Sequence, residues 1–119
     1  MMKIGLVGCG TIGRVIAQAI DQGKIKARLV AVFDLDENKS KNLVESLKDK
    51  PAISSLKKLI DLSDLVLEAA SVKAVKEIAQ LVFEKNKALF LMSTGGLLIY
   101  PEIIDLAQKS EGKRETGAV

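Results

Sequence analysis

The sequence contains no histidine and no tryptophan, and it has a single cysteine, Cys9. Histidine is the side chain that most often moves protons near neutral pH, so the chain lacks the usual catalytic acid or base. One cysteine excludes an intramolecular disulfide and fits a reducing compartment, which predicts a cytoplasmic protein. No cluster of His, Cys, Asp or Glu has metal-ligand spacing, and we predict no metal site.

Aromatic residues are also scarce, with three phenylalanines and one tyrosine. Nucleic-acid surfaces need aromatic stacking platforms beside a concentrated basic patch, whereas the 18 Lys and Arg residues are spread along this chain. Charged residues interrupt every apolar run before it reaches the roughly 18 residues of a membrane span. We therefore expect neither a nucleic-acid partner nor membrane insertion.

Glycine, by contrast, is concentrated in one turn. The segment from Gly8 to Gly13 reads GCGTIG, and it lies between an apolar stretch and a run with helical apolar spacing. Glycines at this spacing make a tight turn, admit backbone to a pyrophosphate and let the helix pack on the strand. A second apolar run ends at Asp34, an acid placed to bind a ribose. Glycines serve many tight turns, so the complete pattern is what predicts a dinucleotide site.

Strand and helix patterns continue to alternate after Asp34. We predict a helix capped by Asp36 and ended by Pro51, a helix capped by Ser71, and three further strands at 52–54, 64–68 and 88–92. A last helix begins near Pro101. The fold class is α/β: a Rossmann-like doubly wound parallel sheet of strand order 3-2-1-4-5, with the sixth strand absent or incomplete. The fifth strand would lie at an open edge, which favours self-association or a missing partner domain.

Several side chains near the glycines allow two interpretations. Cys9 fits as a small residue, but the helix N-terminus beside it could lower the pKa of its thiol and make it reactive. Glu68, at the end of the fourth strand, could serve as an acid or a base. Asp34 disfavours a 2′-phosphate and so favours NAD, whereas Lys39 and Lys41 would complicate that preference.

Four blocks stand out beyond the glycine motif: GLVGCGTIG at 5–13, VFDLD at 32–36, LVLEAAS at 65–71 and LFLMSTGGL at 89–97. In this order they resemble the L-aspartate dehydrogenase family over roughly residues 3–108. The resemblance implies a Rossmann domain followed by an α+β domain that binds the dicarboxylate and carries a catalytic histidine. It also implies oxidation of L-aspartate to iminoaspartate with NAD or NADP. This chain has no counterpart of that histidine.

The resemblance further implies a set of cofactor contacts. The pyrophosphate would be held by Gly8, Gly10, Thr11, Ile12 and Gly13. The adenosine ribose would be held by Asp34. The nicotinamide side would be lined by Ala69, Ala70, Ser71, Thr94 and Gly95. Taken on their residue types, Ser71 equally suits a helix cap and Gly95 a turn.

The pattern departs from the family after about Lys109. We interpret 1–109 as the dinucleotide-binding domain and 110–119 as a polar tail, the start of a missing catalytic domain. The chain would then be the inactive cofactor half of an amino-acid dehydrogenase, binding NAD, with NADP as an alternative. We also expect a homo-oligomer, with an amino-acid substrate bound only when a second domain is present.

Two other functions remain open from the sequence. A stand-alone NAD-binding or regulatory module would show the same pattern without catalysis. A methyltransferase-like domain also carries an acid after its second strand. The third glycine of the turn and a packed Ile12 favour a dinucleotide over S-adenosylmethionine.

Overall fold

The computed structural model describes residues 1–102, which form one six-stranded sheet with helices on both faces. The elements in chain order are β1 (Lys3–Val7), α1 (Thr11–Asp21), β2 (Arg28–Phe33), α2 (Glu37–Glu45), β3 (Ala52–Ile53), α3 (Leu56–Leu62), β4 (Leu65–Glu68), α4 (Val72–Glu84), β5 (Ala88–Leu91) and β6 (Leu97–Ile99). The order β3-β2-β1-β4-β5-β6 confirms the predicted doubly wound sheet. Within residues 1–102, no helix has the length and apolar character of a membrane span. The predicted last helix, beyond its first two residues, and the polar tail lie outside the described residues.

Strand β6 corrects the expectation of an open edge at β5. It pairs with β5 in the antiparallel direction, with Phe90 opposite Leu98, whereas β1 to β5 are parallel. The connecting turn contains Gly95 and Gly96, both with a φ of 94°, a backbone conformation that glycine adopts without strain. The prediction of self-association through β5 assumed that this strand was an open edge, and β6 occupies that edge. Oligomer formation itself stays a prediction.

Alternating side chains of the strands fill two cores, one on each face of the sheet. Ile4 and Leu6 of β1 belong to the core shared with α1 and α2, while Val7 belongs to the core shared with α3 and α4. Gly5 lies on the α3 side, where a Cβ would collide with the side chain of Leu59. Helix α3 can approach β1 this closely because residue 5 has no side chain. Burial on both faces also explains the nearly continuous apolar strands.

Helix α1 buries only part of the face that its apolar spacing predicts. Gly13 and Ile20 are buried, whereas Ile12 and Val15 are 54% and 62% exposed. A Cβ on Gly13 would clash with the carbonyl oxygen of Gly8, so these two backbones are in close contact. This contact turns the Gly13 side of α1 toward the sheet. The prediction of a packed Ile12 is therefore wrong.

The later helices begin with capping side chains, and α1 does not. Asp36, Ser55 and Ser71 each accept a hydrogen bond from a backbone N–H of the first turn of α2, α3 and α4, which confirms the predicted caps at Asp36 and Ser71. The N-cap residue of α1 is Gly10, which has no side chain with which to accept. The first-turn amides of α1 are thus left to other partners.

The carboxylate of Asp21, at the end of α1, joins that helix to the segment after α2. It accepts hydrogen bonds from the backbone amides of Lys48, at 2.9 Å, and Asp49, at 3.1 Å. These two hydrogen bonds lower the pKa of Asp21 from its usual value of 3.8. A carboxyl group whose pKa is lower in the folded chain than in the unfolded chain stabilises the fold at pH values above its unfolded-state pKa. That contribution disappears as the pH falls through the folded-state pKa.

We expect Asp21→Ala to lower the urea midpoint of unfolding near neutral pH, and the difference from wild type to shrink below about pH 4, where the carboxyl group protonates. Urea titrations of both proteins across this pH range measure the effect. Asp49→Asn is the control, since it keeps the amide from which Asp21 accepts. A difference between wild type and Asp21→Ala that does not change with pH would contradict this account.

Candidate functional site

The carboxyl ends of four parallel strands lie level at one edge of the sheet. In the strand register, Val7 of β1 is paired with Phe33 of β2 on one side and with Glu68 of β4 on the other, and Glu68 is paired with Leu91 of β5. The loops that follow these strands therefore begin side by side. The chain winds from β1 toward β3 and then returns to β4. Ligands of such sheets bind where the winding reverses, at this edge.

Backbone contacts hold the loop after β1 against the end of β2 and against the loop after β4. The N–H of Gly8 donates to the carbonyl of Phe33, and the N–H of Ala69 donates to the carbonyl of Val7, both at 2.8 Å. Gly8 has a φ of 103°, and a Cβ on it would lie 2.6–2.7 Å from backbone atoms of Ala69 and Ala70. Residue 8 must therefore be glycine, because a side chain would be strained at this φ and would collide with the backbone of Ala69 and Ala70.

Asp34, directly after β2, is held by two backbone amides. Its Oδ2 accepts from the N–H of Cys9 and its Oδ1 from the N–H of Asp36, each at 2.8 Å. A carboxylate has about four acceptor positions, so each oxygen can accept a further hydrogen bond. The side chain is partly exposed, and its remaining acceptor positions suit the two neighbouring hydroxyl groups of a ribose.

A cleft of about 350 Å³ opens between these loops, a volume in the range of small-molecule sites. It brings together six of the predicted site residues: Gly8, Gly10, Asp34, Ala69, Ala70 and Ser71. A larger cleft of about 870 Å³ lies at the opposite edge of the sheet, near Lys3 and Arg28, and contains none of the predicted site residues. The smaller cleft is therefore the candidate site.

Seven further residues that the sequence did not assign to a site line this cleft: Val7, Phe33, Leu35, Leu56, Ala74, Glu77 and Ile78. Most of them are apolar and suit the faces of a purine base. Lys39, one of the two lysines that could affect the preference for NAD, also lines the cleft, whereas Lys41 does not. A lone leucine in a loop carries no local signal of ligand contact, so only the folded arrangement reveals these walls.

The N-terminus of α1 adjoins the cleft at Gly10. A Cβ on Gly10 would meet no atom within 4 Å, so its backbone is open to the cleft. Thr11, Ile12 and Gly13 form the first turn of α1, where N–H groups have no partner within the helix and the helix dipole favours an anion. These three residues do not line the cleft themselves, but their amides are available to a pyrophosphate.

The structure does not bring Thr94 and Gly95 into the cleft. Both lie in the turn between β5 and β6, where the Thr94 hydroxyl donates to the carbonyl of Leu91 at 3.3 Å and the Gly95 amide donates to the carbonyl of Met92 at 3.1 Å. The turn interpretation of Gly95 explains its positive φ. This turn still belongs to the same sheet edge, because β5 ends level with β4.

Cys9 is a buried packing residue. Its side chain is 2% exposed, and its thiol donates to the carbonyl of Phe33 at 3.8 Å. Burial and, to a smaller extent, the charge of Asp34 raise the pKa of the thiol to about 11, with Arg14 opposing them in part. The sequence left open that the helix N-terminus could lower this pKa, whereas burial raises it and favours Cys9 as a small packing residue.

The glycine turn, the acid after β2 and the level strand ends define a dinucleotide-binding domain of the Rossmann class. A family model described as "Homoserine dehydrogenase, NAD binding domain" matches residues 8–115. The chain belongs to this family, and the prediction of an NAD-binding domain is confirmed.

Curated relatives confirm the resemblance to L-aspartate dehydrogenases. The enzyme of that name from Methanocaldococcus jannaschii is 43% identical over 120 residues, which cover 96% of this chain and 44% of the relative. Those from Methanocella arvoryzae and Nitrosopumilus maritimus are 40% and 42% identical, covering 82% of this chain and 36% and 37% of the relatives. The chain thus spans less than half the length of these relatives, matching their N-terminal part.

Solved structures show the same fold at lower sequence identity. A myo-inositol dehydrogenase from Lactobacillus casei, in complex with NAD(H) and myo-inositol, superposes with a TM-score of 0.70 at 20% identity, covering 76% of this chain and 28% of that one. A UDP-N-acetylglucosamine 3-dehydrogenase from Acidithiobacillus ferrooxidans gives 0.66 at 21% identity, covering 76% and 29%.

We expect Gly10→Ala and Gly13→Ala to separate binding from folding. Gly10→Ala places a methyl group in open space and should leave the free energy of unfolding within about 0.5 kcal/mol of wild type. It should weaken NADH binding by about tenfold or more, because the methyl group lies where the pyrophosphate approaches the backbone.

Gly13→Ala should instead destabilise the fold by about 1–3 kcal/mol, since its Cβ clashes with the Gly8 carbonyl. Urea unfolding and calorimetric titration with NADH measure both effects. Wild-type NADH affinity in Gly10→Ala would show that the pyrophosphate does not lie against this backbone.

We expect the Cys9 thiol to react slowly with iodoacetamide, with and without NAD. At pH 8 a thiol with a pKa near 11 is thiolate in only about one molecule in a thousand, and burial blocks access as well. Labelling followed by mass spectrometry, with the urea-unfolded chain as the reference for full reactivity, tests this. Fast labelling that NAD suppresses would restore the hypothesis of a reactive thiol.

Proposed function

We propose that this domain holds NAD for the oxidation of L-aspartate to iminoaspartate. The proposal rests mainly on the Asp34 carboxylate, which two backbone amides hold in place. Asp34 lines the same cleft as Gly10, whose backbone no side chain covers. The relatives named L-aspartate dehydrogenase, at 40–43% identity, support this choice of reaction.

In the proposed complex, Asp34 accepts hydrogen bonds from the adenosine ribose and the first-turn amides of α1 bind the pyrophosphate. The dinucleotide then continues along the sheet edge past Ala69, Ala70 and Ser71 toward the turn of Thr94 and Gly95. Bound NAD supplies the hydride acceptor for the amino-acid substrate. The residues of this chain bind the dinucleotide and fix its orientation.

The preference between NAD and NADP follows from the charges at the ribose. The Asp34 carboxylate repels a 2′-phosphate, which favours NAD. Lys39 lines the same cleft and offsets part of that repulsion, whereas Lys41 does not line it. We therefore infer a preference for NAD with residual NADP binding.

We infer that residues 1–102 do not supply the acid or base that proton transfer from the substrate requires. The chain contains no histidine, and the Glu68 side chain is fully buried with both carboxylate oxygens engaged. We infer that the acid–base group and the amino-acid pocket belong to residues outside this sequence, and that the chain alone binds NAD without oxidising aspartate. The domain boundary near 109, a homo-oligomer and a cytoplasmic location belong to the same proposal.

Calorimetric titration of wild type and Asp34→Ala with NADH tests the site. We expect Asp34→Ala to bind NADH about 10–100 times more weakly, since hydrogen bonds to a charged group are worth about 1.5–3 kcal/mol. The ratio of NADPH to NADH affinity should rise at the same time, because the repulsion of the 2′-phosphate is removed.

Asp36→Ala is the matched control, because it removes a neighbouring acid that caps α2 and leaves the Asp36 amide in place. It should lower stability by about 1 kcal/mol and leave NADH affinity unchanged. Failure of the wild type to bind either nicotinamide dinucleotide would refute the proposal. Binding of S-adenosylmethionine in their place would support the methyltransferase-like alternative.

A further inference from the structure

We propose that Glu68 is a positioning residue that fixes the loops after β4 and β5 where the nicotinamide half of the dinucleotide lies. This inference rests on the function proposed above. Glu68 is the last residue of β4, and its side chain is fully buried, with a relative exposure of 0%. A glutamate at such a position requires an explanation, because burying a carboxylate is costly unless hydrogen bonds satisfy it.

The two carboxylate oxygens of Glu68 contact different loops. Oε2 accepts from the backbone N–H of Ala70 at 2.9 Å, in the loop after β4. Oε1 accepts from the backbone N–H of Ser93 at 3.1 Å and from its hydroxyl at 2.7 Å, in the turn after β5. One side chain therefore sets the distance between Ala70, which lines the cleft, and the turn that holds Thr94 and Gly95.

This geometry favours positioning over acid–base catalysis. Glu68 does not line the cleft, and both backbone partners are donors that a carboxylate accepts from. The sheet does not need the side chain, because the main chain already joins the strands: the Met92 N–H donates to the Glu68 carbonyl at 3.0 Å. The carboxylate thus adds order to the loops beyond what strand pairing provides.

Glu68→Gln tests the role with little change of shape. The amide offers one oxygen and one NH₂ group, so its NH₂ must face either the N–H of Ala70 or that of Ser93, donor against donor. One loop is then released. We expect Glu68→Gln to weaken NADH binding by about tenfold. ADP-ribose, which lacks the nicotinamide, should bind within about twofold of the wild-type affinity, because its contacts lie at Asp34 and α1.

Calorimetric titration of the full 119-residue chain with NADH and with ADP-ribose gives both affinities, and NADH fluorescence reports the nicotinamide surroundings. Glu84→Gln, the same change at an exposed position at the end of α4, is the control and should alter neither affinity. Ser93→Ala removes only the hydroxyl donor and should weaken NADH binding in the same direction by a smaller factor. It carries the test if circular dichroism shows that Glu68→Gln does not fold.

The outcomes separate the two proposals. Wild type that binds neither NADH nor ADP-ribose refutes the proposed function, and the positioning role with it. Wild type that binds both ligands equally well refutes the positioning role alone, as do variants that lose affinity for both ligands equally or for neither. A selective loss of NADH affinity in the variants supports the positioning role.

Discussion

The contact between the backbones of Gly8 and Gly13 constrains much of the structure around it. A Cβ on Gly13 would clash with the Gly8 carbonyl, and a Cβ on Gly8 would lie 2.6–2.7 Å from the backbone after β4. Three backbone segments therefore meet where ordinary residues would hold them apart. This meeting sets the face that α1 buries, the direction in which its first turn points and the width of the cleft between β1 and β4.

The same turn places the negative Asp34 carboxylate close to the partly positive amides at the N-terminus of α1. The Asp34 carboxylate accepts from the Cys9 amide, while the α1 amides just after it are left without a capping side chain. Helices α2, α3 and α4 each receive a side-chain cap. A capping side chain at residue 10 would occupy the amides that a pyrophosphate needs. The local stability of α1 is thus lower than a cap would make it, in exchange for an open anion site.

The sequence predicts the strand order and the two caps correctly because these depend on local patterns: apolar runs, acids and serines at helix starts, and glycines at turns. It does not predict β6, although two apolar runs flanking Gly95 and Gly96 are a signal of a hairpin. The prediction of a packed Ile12 is also wrong, because the contact between Gly8 and Gly13 decides which side of α1 faces the sheet.

In the cleft, too, residues of a local sequence motif could be predicted, whereas residues that only folding brings together could not. Its glycines and Asp34 stand in a recognisable motif, so sequence reasoning places them at the site. Its apolar walls, Leu35 and Leu56, come from two different loops and are brought together only by the packed sheet. The sequence does not predict the burial of Glu68 either, because a glutamate at a strand end is most often exposed.

In both halves of the sheet edge, a carboxylate that accepts a hydrogen bond from a backbone amide joins two neighbouring loops. Cys9 and Asp34, 25 residues apart, join the loops after β1 and β2 through a carboxylate that accepts from a backbone amide. Glu68 and Ser93, also 25 residues apart, join the loops after β4 and β5 in the same way. In the first pair the acid keeps acceptor positions open beside the cleft, and in the second it is fully buried. The partly exposed acid, Asp34, can therefore contact a ligand directly, whereas the buried acid, Glu68, can act only through the loops that it holds.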